Sequence, residues 1–284
     1  MKLIRINDLS ASDIRSMWRL ASKPSAPSKG NVAWSFEGNG IRTRTSFIQA
    51  FRELNLSFVE LPNLLKTHER VADLAGYLDP FYDIYVIRDS NHERLTEFAN
   101  ASNRPVVNAM TSLGHPCEVL TDAYSLEKTI GSLSTVKVTL WGPTTNVFKS
   151  WHELAGVLGF ELVHLCDAKF HENMPHVRFS ESIDEQTDVV ITDAWPDGFD
   201  QASWSMSSHH LEAMGNPKLL PTPPFSIGRE IDFDPVHYKG FMGYEQKIDL
   251  LTVQKAILSY LMAQGKAIHL RGDLNADCVC QIRC

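Results

Sequence analysis

The sequence predicts an α/β fold of two doubly wound parallel-sheet domains joined by two interdomain helices. Three observations carry that expectation. Short apolar runs alternate with longer amphipathic runs along most of the chain, the order that builds parallel strands covered by helices on both sides. The alternation runs once to about residue 125 and restarts near residue 136, and 284 residues suffice for two substantial cores. Polar residues gather directly after the strands, at the edge where an open parallel sheet binds its ligands.

The elements follow in order from periodicity and capping. Asp8 to Asp13 supply caps for a first helix reaching about residue 21. Strand 32–36 and helix 45–54 come next, then strand 58–61, helix 68–78, strand 84–87, helix 93–102 and strand 105–108. A long helix over 116–128 has Val119, Leu120 and Ala123 at its apolar positions. The second series reads as strand 136–141, helix 147–158 and strands 161–166, 189–192 and 218–220. A final helix over 244–262 has Ile248, Leu251, Ala256, Leu258 and Leu261 as its apolar face. The implied division is a first domain over 1–125, a second over 126–243, a helix over 244–264 returning to the first, and a tail over 265–284.

The most informative stretch is Phe36-Glu37-Gly38-Asn39-Gly40-Ile41-Arg42-Thr43-Arg44-Thr45-Ser46-Phe47. A Gly-Asn-Gly turn leads into arginines and hydroxyls and then into the apolar period of Phe47, Ala50, Phe51 and Leu54. That is a loop feeding a helix N-terminus, where outward N–H groups, the helix dipole and an arginine fork all favour a phosphate. The same residues also fit a capped helix with two solvated arginines. Five later segments place polar groups at strand ends in the same way. Tyr85-Val86-Ile87 ends in Arg88, and a loop after Asn108 carries His115-Pro116-Cys117-Glu118 into a helix. Trp141-Gly142-Pro143-Thr144-Thr145-Asn146 links a strand to a helix, Ile191-Thr192 ends in Asp193, and Leu219-Leu220 runs into Pro221-Thr222-Pro223-Pro224.

Composition narrows the function classes. Hydrophobic content of 43% and charged content of 21% are ordinary for a globular protein. A formal net charge of −7 argues against nucleic acid or an anionic membrane as the main partner. The start, Met1-Lys2-Leu3-Ile4-Arg5-Ile6, lacks the apolar core of a secretory signal, and no apolar run approaches a membrane span. The five cysteines, Cys117, Cys166, Cys278, Cys280 and Cys284, are odd in number and scattered, which suits reduced thiols in a cytoplasmic protein. Three of them crowd the C-terminal end without a nearby histidine or a standard zinc spacing, so a frayed tail is expected there and no metal. The strand-to-helix turns lack Gly-x-Gly-x-x-Gly, which argues against a dinucleotide enzyme.

Taken together and in this order, these motifs resemble the aspartate/ornithine carbamoyltransferase family, and more closely its ornithine branch, over about residues 3–264. The family's Ser-x-Arg-Thr-Arg phosphate loop corresponds to Gly40 to Arg44, and its strand-end arginine to Arg88. Its His-Pro-x-Gln signature corresponds to His115 to Glu118, its glycine loop before a helix to Gly142 to Ser150, and its proline turn to Leu220 to Pro223. The resemblance implies that the first domain binds carbamoyl phosphate and the second an acceptor amine. Family members are homotrimers with sites shared between subunits, and no cofactor is implied.

Carried over residue by residue, the catalytic set is Arg42, Thr43, Arg88 and His115. The carbamoyl-phosphate set adds Gly40, Ile41, Glu118, Pro221 and Thr222. Lys66, on a loop over 63–69, is a candidate for a phosphate contact in a neighbouring subunit, although an exposed loop lysine needs no such role. Asn146 and Asp193 correspond to the acceptor contacts. Asp197 is a candidate for a second cationic group of the acceptor or simply a turn aspartate. His115 also fits a helix-capping or core role.

Departures matter equally. Gly40 replaces a serine, and Glu118 replaces a glutamine and so adds negative charge beside a dianion. The proline turn lacks the family's histidine and cysteine, and Pro196-Asp197-Gly198-Phe199 stands where ornithine enzymes carry Ser-Met-Gly. By analogy with the family a cis bond is expected between Thr222 and Pro223. Two functions follow: a carbamoyltransferase acting on an amino acid or related amine, or a catalytically weakened relative serving as an anion-binding scaffold.

Overall fold

The structure is a computed structural model that describes residues 1–25 and 27–280, with 266–280 described by backbone alone. The chain divides into two units. The first comprises Met1–Ile4, Ser12–Ser112 and the chain from Leu251 onward, and the second Arg5–Ala11 and Leu113–Leu250.

In the first unit, α1 (Ala11–Ala21, in this unit from Ser12) precedes β1 (Asn31–Phe36), α2 (Ile41–Glu53), β2 (Ser57–Glu60), α3 (Val71–Leu78), β3 (Ile84–Arg88), α4 (His92–Ala101) and β4 (Val106–Met110). The four strands are parallel in the order β2-β1-β3-β4. β1, β3 and β4 are almost wholly buried, as parallel strands covered on both faces must be. Trp34 of β1 packs against Phe47 and Phe51 of α2 at centroid distances of 5.5 and 5.6 Å. All three rings are fully buried, and truncating one to alanine costs roughly 3–5 kcal/mol. This cluster fixes the helix whose first turn carries Arg42 and Thr43.

In the second unit, α5 (Pro116–Thr129) leads to β5 (Val138–Trp141), α6 (Asn146–Leu158), β6 (Leu162–Leu165), β7 (Val177–Ser180), β8 (Val189–Thr192), α7 (Ser208–Ala213) and β9 (Lys218–Pro221). Its sheet is parallel in the order β7-β6-β5-β8-β9. Edge strand β7 has no counterpart in the sequence reading, because its residues are exposed or half-buried and carry no apolar run. α6 shows both standard signals: Thr145 accepts from the Phe148 N–H at 3.2 Å, and Gly159 ends the helix with φ 69°. Glu153, buried on α6, accepts from Arg5 Nε at 2.6 Å and the Ile6 N–H at 2.9 Å, which ties residues 5–11 to this unit.

The last helix, α8 (Gly243–Cys280), begins in the second unit and enters the first at Leu251. Its backbone stays helical past residue 264, where the sequence reading starts a tail; no proline interrupts 265–280. Its apolar face also differs from the expected one. Ile248 is 73% exposed, while Leu250, Val253, Ala256, Ile257, Leu258 and Leu261 are buried. Periodicity places a stripe on a helix but does not say what covers each end of it. The expectation for the thiols of Cys278, Cys280 and Cys284 lies outside the described residues; Cys117 and Cys166 are buried and neither forms a disulfide with a described residue. Among the described residues no helix is long and apolar enough to cross a membrane, and no cluster of His, Cys, Asp and Glu is arranged to hold a metal.

Candidate functional site

Each sheet has one topological switch point, where successive crossovers leave in opposite directions and the carboxyl ends of two strands open a crevice. In the first unit this lies between β1 and β3, which pair so that Phe36 stands beside Arg88. The loop from Glu37 to Gly40 leaves this point, and Gly40, at φ 21°, turns the chain into α2. The first turn of α2 contains no acidic residue, so its N–H groups and dipole present net positive character. Thr43 is buried there and accepts from Arg88 Nη1 at 3.4 Å, while Arg42 is exposed. The guanidiniums of Arg44 and Arg88 lie 4.6 and 5.1 Å from the Phe36 ring centroid, within cation–π range. Arg44 is also ion-paired to Glu60. Of the residues expected to hold phosphate, Gly40, Ile41, Arg42, Thr43 and Arg88 are therefore brought together.

Lys66 has a different immediate role. It ends a short 3-10 turn, Leu64–Lys66, and its ammonium lies 2.9 Å from Glu37 Oε1 and 3.5 Å from Asp89 Oδ1. Glu37 also accepts from the Ser90 N–H. That backbone hydrogen bond, with Lys66 second, holds the Glu37 carboxyl down at about 2. Within its own chain Lys66 thus links loop 63–69 to the roots of both switch-point strands.

The second switch point lies between β5 and β8, where Trp141, Thr192 and Pro221 stand in register on adjacent strands. That row sets Thr145, Asp193 and Thr222 at one edge. Asp193 is 8% exposed, with the Thr145 hydroxyl and the Ala194 N–H on its carboxylate. Burial outweighs those hydrogen bonds and pushes its carboxyl up to about 7, with Glu118 and Glu230 adding repulsion. The Thr222 N–H donates to Thr192 O at 2.8 Å, and Asn146 opens α6 half-buried. Asp197 is exposed in the turn 196–199, which closes through the Phe199 N–H on Pro196 O at 3.2 Å. The cis bond in the proline turn joins Pro223 to Pro224 rather than Thr222 to Pro223, one residue later than expected. Both are X-Pro bonds, for which the cis form is inexpensive.

His115 and Glu118 open α5 in this unit. The His115 N–H donates to Ser150 Oγ at 3.0 Å, and the side chain is 7% exposed. The charge of Glu118 is met by Lys247, whose ammonium pairs with it directly. Gln246 donates to Asp122, one turn along α5. Burial raises the Asp122 carboxyl well above its ordinary range, with Glu118 adding to the effect. Sequence reasoning did not include Lys247, Gln246 or Thr145. The first two lie more than 120 residues from their partners and carry no local signal. Thr145 was placed only in the link from a strand to a helix, with no role on a carboxylate.

Residues 2–128 match the family described as aspartate/ornithine carbamoyltransferase, carbamoyl-P binding domain. Similar curated proteins include an ornithine carbamoyltransferase of Methanopyrus kandleri, 27% identical, covering 92% of this chain and 96% of that one. One from Caulobacter vibrioides is 25% identical over 83% and 84%. Among solved structures, the anabolic ornithine carbamoyltransferase of Campylobacter jejuni superposes with a TM-score of 0.80 at 26% identity, covering 93% of this chain and all of that one. The enzyme from Burkholderia thailandensis gives 0.82 at 23% identity over 91% and 97% and attests the fold.

Proposed function

We infer that this chain, which belongs to the aspartate/ornithine carbamoyltransferase family, moves the carbamoyl group of carbamoyl phosphate to an amine and releases phosphate. The observation that carries this reading is the convergence of Arg42, Thr43 and Arg88 at the β1/β3 switch point, inside the stretch that matches a carbamoyl-phosphate-binding domain. In the reaction a neutral amine forms a C–N bond to the carbamoyl carbon, the carbon–oxygen bond to phosphate breaks, and the amine proton leaves for phosphate or a carboxylate. Donors fixed in advance at the leaving phosphate and at the carbonyl oxygen supply most of the stabilisation. Arg42, Arg88, Thr43 and the N–H groups from Gly40 and Ile41 onward suit the phosphate, and His115 suits the carbonyl oxygen. Asp193, titrating at about 7, suits the amine side, because it can take up a proton near neutral pH. Asn146, Pro221 and Thr222 share its edge.

Ornithine, the acceptor named by the relatives, is the first amine to test. The altered turn at Asp197 leaves room for a different amino acid. We further propose a cytoplasmic homotrimer, as in the family. The scaffold alternative, which rests on Gly40, Glu118 and the altered proline turn, is not favoured, and the charge of Glu118 is met by Lys247. Calorimetric titration with carbamoyl phosphate beside Arg42→Ala tests the reading. Saturable binding lost in the variant is expected, and absence of binding by the folded parent at millimolar donor overturns it.

A further inference from the structure

Two buried histidines lie behind the acceptor edge, and the proposed reaction uses neither. His152 on α6 and His164 on β6 are enclosed with Phe148 and Phe179, whose ring centroids both lie 5.2 Å from that of His164. His164 Nε2 is 2.9 Å from Gly142 O, and a carbonyl can only accept, so that nitrogen carries the proton. In a neutral ring Nδ1 is then the acceptor, and His152 Nε2 donates to it at 3.1 Å. Burial holds both imidazoles well below their ordinary range, and Lys149 on α6 and His171 after β6 act in the same direction. The pair therefore keeps one direction of hydrogen bonding at neutral pH. What it holds is the turn between β5 and α6. Gly142 has φ 116°, and a β-carbon there would stand 3.3 Å from Trp195 Nε1. Pro143 stiffens the next step. The Phe148 ring stands edge-on to His164, at 85°. His164 thus touches both ends of 142–148, whose middle carries Thr145 and Asn146.

We propose that His164 is a positioning residue of the acceptor edge, with His152 fixing its tautomer: by holding the Gly142 carbonyl and the Phe148 ring, it keeps the turn between them set so that the Thr145 hydroxyl reaches Asp193. The pair moves no proton in the reaction. Its effect falls on the amine half, since every contact named lies in the second unit. This inference rests on the reading of Asp193 as the amine-side carboxyl.

The test is carboxyl-carbon NMR of the aspartate-labelled full chain, with the Asp193 signal assigned by its loss in Asp193→Asn. Asp193 is faced by the Thr145 hydroxyl and the Ala194 N–H, which favour its charge, and by Glu118 and Glu230, which oppose it. His164→Leu frees the turn and removes the first of these, so the Asp193 midpoint is expected to rise by about one pH unit. His164→Gln keeps a donor for Gly142 O and is expected to restore the midpoint. In a Thr145→Val background His164→Leu should add nothing. In steady-state phosphate release, KM for ornithine should rise about tenfold in His164→Leu while the Kd of carbamoyl phosphate stays unchanged. An unmoved midpoint in folded His164→Leu, or one raised equally by His164→Gln, overturns the inference. If His164→Leu fails to fold, His152→Leu decides: it unlocks the ring without emptying its place, a smaller rise is expected, and none overturns the inference. The NMR shifts do not depend on catalysis, so absence of transfer to ornithine by the parent counts against the acceptor reading alone.

Discussion

The two switch points share a topology and differ in charge. At β1/β3 the charged candidate groups, Arg42 and Arg88, are cations on the surface or half-buried, and Arg88 lies against an aromatic ring and a threonine. At β5/β8 and on α5 the buried charged groups Asp193, Glu118 and Asp122 are carboxyls, 8% exposed or less, with Lys247 as the cation paired to Glu118. A parallel sheet thus supplies a crevice without specifying what enters it. The sign of the side chains and the depth of their burial do that, and in the proposed function they match one edge to a dianion and the other to an amine.

The contrast breaks most easily at Arg88. Arg88→Ala removes a charged donor and the partner of Phe36, and should lower kcat/KM for carbamoyl phosphate about a thousandfold; steady-state phosphate release measures it. A loss under tenfold would mean that the β1/β3 edge is not where the charge is stabilised.

At the other edge, Lys247→Met leaves the Glu118 carboxylate buried without its cation and should cost about 3 kcal/mol in urea unfolding. Adding Glu118→Gln to that variant should restore most of the loss. A double variant no more stable than Lys247→Met would show that the pair does not act as a unit.

Acid sharpens the difference further. His152 and His164 are buried in the second unit, 3.1 Å apart, with His164 Nε2 donating to Gly142 O at 2.9 Å. Burial holds them down at about 3 and about 4, against an ordinary 6.5. Between pH 6.5 and about 4 the unfolded chain therefore binds more protons, so stability falls as pH drops through that window, by up to about 1.4 kcal/mol per pH unit for each ring. Denaturant titrations at pH 7, 6 and 5 would show it, and His152→Gln should reduce the slope. Activity has a separate dependence. With Asp193 titrating at about 7, kcat/KM should rise through pH 7, and Asp193→Asn should abolish that limb.

The smallest effect is expected at Lys66. It is 44% exposed, so Lys66→Ala should cost under about 1 kcal/mol. A large loss of activity with unchanged stability would instead support a phosphate contact across subunits.

Much of this molecule was legible in its residues. Strand and helix periods located both sheets, because a strand covered on both faces must be apolar throughout and a covering helix must be apolar on one. The place of the Gly40–Arg44 loop, Arg88, His115, Asn146 and Asp193 at strand ends and helix starts was legible, because a strand end feeding a helix has a short-range signature. β7 was not, since an exposed edge strand needs no apolar run. Ile248 was misassigned because periodicity carries no information about what a helix meets.

What the sequence by itself determined is therefore the order of elements, the two crevices and the motifs that carry the family resemblance, all of which are written within windows of a dozen residues. Only the tertiary structure decided that Lys247 neutralises Glu118 from 129 residues away, that His164 holds the Gly142 carbonyl, and that Thr145 serves Asp193. Those pairings depend on register between strands and on how far each carboxyl lies from water. Neither quantity exists until the chain has folded.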